Sequence, residues 1–132
     1  MLSDEEKRTL SKVRLEHAAE CLDEAESLLS LEQYRGASNR SYYTVFHAIR
    51  AVLALDGIDR KRHSGAISEF RRLYIRTGIF SEEWSDIIGD QFDYRTASDY
   101  NDFFVPSREE VNEQVRSARA FLQIITEYLE QI

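Results

Sequence analysis

Arg40 and His47 lie seven positions apart inside the segment Asn39-Arg40-Ser41-Tyr42-Tyr43-Thr44-Val45-Phe46-His47-Ala48-Ile49-Arg50. Together these residue types can handle a phosphodiester. A guanidinium is permanently charged and offers phosphate oxygens a planar fork of donors, while an imidazole titrates near neutrality and can accept or return a proton. On a helix, seven residues correspond to roughly 700° of rotation, so the two side chains stand within about 20° of each other and about 10.5 Å apart along the axis. That gap is wide for two groups acting on one atom, but a long arginine and a phosphate with its ribose can span it. A purely structural use fits the same spacing: Arg40 paired with an acid on another helix, and His47 half-buried with its hydrogen bonds satisfied.

The chain is acidic overall, with 17 Lys/Arg against 24 Asp/Glu and a net charge of -7, but its charge is unevenly spread. Residues 35–76 carry nine basic side chains and three acidic ones, whereas residues 1–34 and 77–132 are both strongly acidic. Arg40 and His47 therefore fall in the one basic block, with Arg60, Lys61, Arg62, His63, Arg71, Arg72 and Arg76. Such a block can focus a polyanion or dock an acidic partner, and it can equally be a solvated helix face.

Long helices must position these residues. Ser3 with Glu6 reads as a capping box opening a first helix that runs to about Leu31, with an apolar stripe at Ala18, Cys21, Leu22, Ala25, Leu28 and Leu29. A second helix runs from about Tyr34 to Leu55, with Gly57 placed to stop it, and its wide apolar face marks it as central. His63-Ser64-Gly65 opens a third helix that Gly78 ends, Ser81 starts a fourth near Glu83 and Trp84, and Pro106-Ser107 with Glu110 opens the last. The expectation is a single all-α domain over residues 1–132, an up-and-down bundle of four long helices plus a shorter fifth.

At 132 residues the chain can bury roughly two-thirds of the surface its unfolded form exposes, enough for a core without staples. Cys21 is the only cysteine, which excludes an internal disulfide; with His17 one turn before it, it gives two potential ligands and no metal site. No secretory signal opens the chain, and no window approaches the roughly 18 apolar residues of a membrane span, so the expected location is the cytoplasm, without membrane contact.

Two further groups are candidates for binding. His63 with Ser64 and Arg62 sits at a helix start, where free N–H groups can receive an anion, or serves simply as a turn. Tyr43, like Tyr42, Tyr74, Tyr94 and Tyr100, could stack a base or belong to the core. Arg95 and Asp99 read as an i, i+4 ion pair.

Three blocks, Arg40-Ser41-Tyr42-Tyr43-Thr44-Val45-Phe46-His47-Ala48, then Arg62-His63-Ser64-Gly65-Ala66-Ile67, then Arg95 with Asp99-Tyr100-Asn101-Asp102-Phe103, follow the order seen in the HEPN family (higher eukaryotes and prokaryotes nucleotide-binding), which the chain resembles over roughly residues 10–130. The resemblance implies a helical bundle, usually a homodimer, often encoded beside a small nucleotidyltransferase. Many members are metal-independent ribonucleases marked by an arginine, four to six residues and a histidine, a pattern that Arg40 and His47 match at its upper limit. Active members commonly carry Asn, Asp or His directly after the arginine; this chain has Ser41 there and Asn39 before it. Two functions follow as expectations. One is an interaction and nucleotide-binding module of a toxin–antitoxin or defence pair, working with a nucleotidyltransferase; the other is a ribonuclease in which His47 moves the proton and Arg40 stabilises charge on phosphorus, with no metal or other cofactor.

Overall fold

Serine capping boxes open the two longest helices. In a computed structural model describing residues 1–132, Ser3 Oγ accepts from the Glu6 N–H while Glu6 Oε1 accepts from the Ser3 N–H, and Ser107 with Glu110 repeats the arrangement. They start α1 (Asp4–Ser30) and α5 (Arg108–Glu130), whose acidic first turns also complement the helix dipoles. Between them run α2 (Tyr34–Leu55), α3 (His63–Phe70), a π-helical turn over Arg71–Ile75, and α4 (Glu83–Tyr100). The fold is the expected all-α bundle of four long helices with a shorter fifth. Its one departure is the π-helical turn, where the sequence reads as uninterrupted helix up to Gly78.

Two turns of the same design flank α2. After α1, Gln33 donates to the Leu28 carbonyl and Glu32 to that of Leu29, with Glu32 held at φ 61°. This is a Schellman stop in which a residue with a Cβ takes the left-handed position, at a cost of roughly 1 kcal/mol. After α2, Ile58 donates to Leu53 and Gly57 to Ala54, with Gly57 at φ 72°, where a glycine carries no such cost. The short first turn folds α2 back along α1 as a helical hairpin.

Helix α2 packs against α1, α3, α4 and α5. Along residues 37–54 every side chain is buried except those of Asn39, Arg40, Tyr43, His47 and Arg50. Four fully buried alanines, Ala37, Ala48, Ala51 and Ala54, let neighbouring helices approach closely, while Tyr42, Val45, Ile49, Val52 and Leu53 fill the space between them. The width of this apolar face is thus used within one chain and needs no second copy to cover it. A second aromatic group, Phe70, Tyr74, Phe80, Phe121 and Tyr128, closes the far end, with ring centroids 5.3–5.8 Å apart for Phe70–Tyr74, Phe70–Phe121 and Tyr74–Tyr128. No helix is long and apolar enough to cross a membrane.

A buried polar network ties α2, α4 and α5. Ser38 Oγ donates to Gln114 Oε1 (2.7 Å), Gln114 Nε2 donates to Gln91 Oε1 (2.8 Å), Gln91 Nε2 donates to the Gln114 carbonyl (2.7 Å), and Ser41 Oγ donates to that same carbonyl (3.0 Å). The carbonyl that Gln91 and Ser41 share is the main-chain oxygen of Gln114, and with every side chain of the network partnered the desolvation of four polar side chains is offset. Replacing Gln114 by alanine leaves Ser38 Oγ without its acceptor and opens a hole. Urea denaturation should show a loss of about 3 kcal/mol, and a loss below about 1 kcal/mol would mean that the network contributes little.

Candidate functional site

The open positions of α2 form a stripe. Arg40, Tyr43, His47 and Arg50 fall at spacings of three and four, so they line one side of the helix. The Arg40 guanidinium lies over the Tyr43 ring, 5.1 Å from its centroid, and the Tyr43 ring lies 5.8 Å from that of His47. Tyr43 therefore fills the wide gap between arginine and histidine that the spacing alone leaves. Arg40 is oriented by its neighbour: Asn39 Oδ1 accepts from Arg40 Nε (3.1 Å) and Nη2 (2.7 Å). Arg40 forms no salt bridge, so the structural use in which it pairs with an acid on another helix is not realised.

Helix α1 runs beside the stripe and supplies a matching row. Arg14 Nη1 donates to the Arg50 carbonyl (3.2 Å), the His17 and His47 rings meet edge to face at 5.8 Å, and Cys21 lies beside Arg40. Burial pushes the Cys21 thiol up, partly countered by the Arg40 charge, so it remains a protonated structural thiol. Asp59 binds Arg14 (3.2 Å) and Arg50 (3.0 Å) at once, neutralising that end of the stripe. The other end, at Arg40, keeps its positive charge.

His47 is half-buried, and its Nδ1 is shielded from solvent without a hydrogen-bond partner. Burial, followed by the nearby His17, Arg50, Arg40 and Arg14, lowers its pKa to about 4. At neutral pH the ring is uncharged and flanked by cations. An anion arriving there would offset the part of this shift that comes from the neighbouring cations, burial being the larger cause.

His63 joins the stripe from α3. Its ring stacks on Phe46 with centroids 4.0 Å apart, stands edge-on to Tyr43 at 5.8 Å, and places Nδ1 2.7 Å from the Tyr42 hydroxyl. Burial pushes the Tyr42 phenol up and the His63 imidazole down, with Arg95 and Arg50 adding to the latter. An uncharged phenol and an uncharged ring share this hydrogen bond, the tautomer of His63 setting which of them donates. Arg95, on α4, lies over the Tyr42 ring at 5.6 Å, with its Nε 3.0 Å from Asp99 Oδ2 but not aligned as a hydrogen bond.

Arg40, Tyr43, His47 and His63 thus converge, whereas Arg62 and Ser64 do not join them. Arg62 precedes α3 with its side chain exposed, and Ser64 faces a separate cavity between α3 and α4. Ser41 is fully buried in the Gln91–Gln114 network, so it cannot stand in for the polar residue expected beside the arginine; Asn39 holds the guanidinium instead. The sequence reading missed Arg50, His17 and Arg95 as neighbours. Arg50 was available as the next i+3 position after His47, but His17 required the pairing register of α1 with α2. A cavity of about 530 Å³ lies towards the start of α1, among Leu15, Leu55 and Leu129, and no stripe residue lines it.

Residues 11–128 match the HEPN domain family. Among related proteins, a UPF0332 protein of Thermotoga maritima is 32% identical over 127 residues, covering 96% of each chain. Two proteins of Methanocaldococcus jannaschii are also similar. "Putative toxin MJ0142" is 31% identical over 123 residues, covering 93% of this chain and 83% of its own, and "Putative toxin MJ0605" is 30% identical, covering 89% and 87%. With the family match spanning nearly all of the sequence, the chain belongs to the HEPN family.

Proposed function

We propose that this chain is the toxin-type half of a toxin–antitoxin or related defence pair: a single-domain, cytoplasmic interaction module that binds the phosphate of an RNA or nucleotide on the Arg40–Tyr43–His47 stripe and works with a small nucleotidyltransferase. The observation that carries this reading is the stripe itself, the one open side of an otherwise buried helix, holding an unpaired guanidinium beside an uncharged imidazole. Two of the relatives are named as toxins, which supports the biological setting. The stripe is one exposed side of a helix and lines none of the larger cavities, so a second copy or the partner protein would complete a pocket over it, and a homodimer is the simplest arrangement. Sedimentation equilibrium at micromolar concentration should give about twice the 15.4 kDa chain mass; a strict monomer would leave the stripe dependent on the partner alone.

A bound phosphate places negative charge beside His47 and raises its proton affinity from the free value near 4, so binding takes up a proton. Affinity for a short single-stranded RNA should therefore strengthen as pH falls from 7 toward 5, with His63 contributing in the same direction. His47→Gln should flatten most of this dependence. Affinity that falls on acidification would count against a phosphate at the stripe.

A second reading, ribonuclease, is favoured by the uncharged, half-buried imidazole of His47 standing on the same open stripe as Arg40, which has no acidic partner. In that reaction the ribose 2′-oxygen bonds to phosphorus, His47 takes the hydroxyl proton, and the P–O5′ bond breaks with return of a proton to the leaving oxygen, while Arg40 holds the extra charge. The depressed pKa makes His47 a weak base in the free chain, so binding without cutting is expected of the protein alone. Incubation with single-stranded RNA in excess EDTA separates the two readings. Intact RNA that is nonetheless bound supports the module. Products ending in 2′,3′-cyclic phosphate, lost in His47→Ala and Arg40→Lys, would establish the ribonuclease instead.

A further inference from the structure

On the other side of His63 lies a cavity of about 400 Å³, lined by Ser64 and Ser68 of α3, Arg71 and Arg76 of the π-helical turn and its C-cap, and Phe92 and Asp93 of α4. Its volume lies in the range of small-ligand sites. Ser64 and Ser68 stand one helical turn apart, and neither hydroxyl is used in an internal hydrogen bond. The two guanidiniums carry no acidic partner, in contrast to Arg60 and Arg72, which share Glu69. Arg71 is nevertheless fixed: its Nε donates to Ser85 Oγ (2.9 Å) and its Nη2 to the Ser85 carbonyl (3.0 Å), leaving Nη1 free.

Two features of the backbone serve this arrangement. In an α-helix, residues five apart point about 140° away from each other. Here the Arg76 N–H bonds to the Arg71 carbonyl at 2.9 Å, closing a π turn, so both arginines reach the same cavity. Gly89 sits in the interior of α4, where glycine costs about 1 kcal/mol relative to alanine. A Cβ at that position would stand 3.3 Å from Arg71 Nη2 and crowd the guanidinium where it crosses the helix.

We propose that this cavity is a second nucleotide subsite, in which Arg71, Arg76 and the two serines hold a phosphate, Asp93 accepts from a ribose hydroxyl, and Phe92 packs against the base. The inference rests on the reading of the stripe as an RNA-binding surface and extends it. Ser64 follows His63 in the chain, and the Phe92 ring lies 6.2 Å from that of Tyr42, so one wall separates cavity from stripe. The occupant is a single-stranded RNA with one nucleotide on the stripe and a neighbouring one in the cavity. The Asp93 carboxylate would repel a bare inorganic anion, which favours a ligand that also brings a sugar hydroxyl.

The test is the affinity of the full chain for a fluorescein-labelled oligoadenylate, measured by anisotropy, with unlabelled AMP as competitor. Ser68→Glu and Arg76→Glu change exposed positions and put negative charge at the cavity; Ser27→Glu on α1 controls for charge alone. Each cavity variant should weaken binding by about tenfold or more with the far-UV circular dichroism unchanged, and the control by less than about twofold. AMP should shift the Ser64 and Ser68 amide resonances and compete only weakly with the strand. Cavity variants that bind as the wild type does, while Arg40→Gln loses affinity, would overturn the subsite and leave the stripe reading standing. AMP competing as well as the strand, with Arg40→Gln without effect, would overturn the strand path and the stripe together. A wild type that binds neither probe would overturn both proposals.

Discussion

Burial of α2 on nearly all sides is the constraint from which the rest of the molecule follows. A helix covered by four neighbours can keep only a narrow strip of surface, and whatever occupies that strip is held by the packing of the entire core. Arg40, Tyr43, His47 and Arg50 inherit that rigidity. Their backbone cannot shift without disturbing Tyr42, Ile49 and Val52, which are essentially inaccessible to solvent. Geometry at the stripe is therefore set by the hydrophobic interior and not by a mobile loop.

The same burial sets the electrostatics. Crowding an imidazole between the core and several guanidiniums keeps it neutral, and stacking a second imidazole on Phe46 does the same to His63. The protein thus presents fixed positive charge from arginines together with two uncharged nitrogen bases that gain protons readily only when negative charge arrives. The Gln91–Gln114 network acts from behind: by engaging Ser38 and Ser41 on the core side of α2, it fixes the rotation of the helix about its own axis and hence the direction in which Arg40 and His47 face.

Much of this was legible from residue order. Capping boxes at Ser3 and Ser107 and the stop at Gly57 are local signals, and they marked the corresponding helix ends to within a residue or so. The convergence of Arg40, Tyr43 and His47 could be read because it lies on one helix. What could not be read is registry between helices: His17 against His47, Cys21 against Arg40, Arg95 over Tyr42. Ser41 shows the limit most clearly: it stands where active members of the resembled family commonly carry Asn, Asp or His, and the structure places it in the core. The π turn at Arg71 was equally hidden, because no side-chain pattern distinguishes it from ordinary helix.

The tight turn at Glu32 has a consequence for how the molecule is assembled. The contacts between α1 and α2 nearest this turn span few residues, so their loop-closure entropy is small and they are the ones that a growing chain can make first. By the time Gly57 has been synthesised, the α2 residues of the stripe and their α1 companions are present in one hairpin. The glutamines that close the other side, Gln91 and Gln114, come much later. During that interval the nascent hairpin carries its phosphate-facing residues beside the uncovered apolar flank of α2, which makes the first half of this chain both the part that bears the chemistry and the part most exposed to unwanted association before synthesis ends.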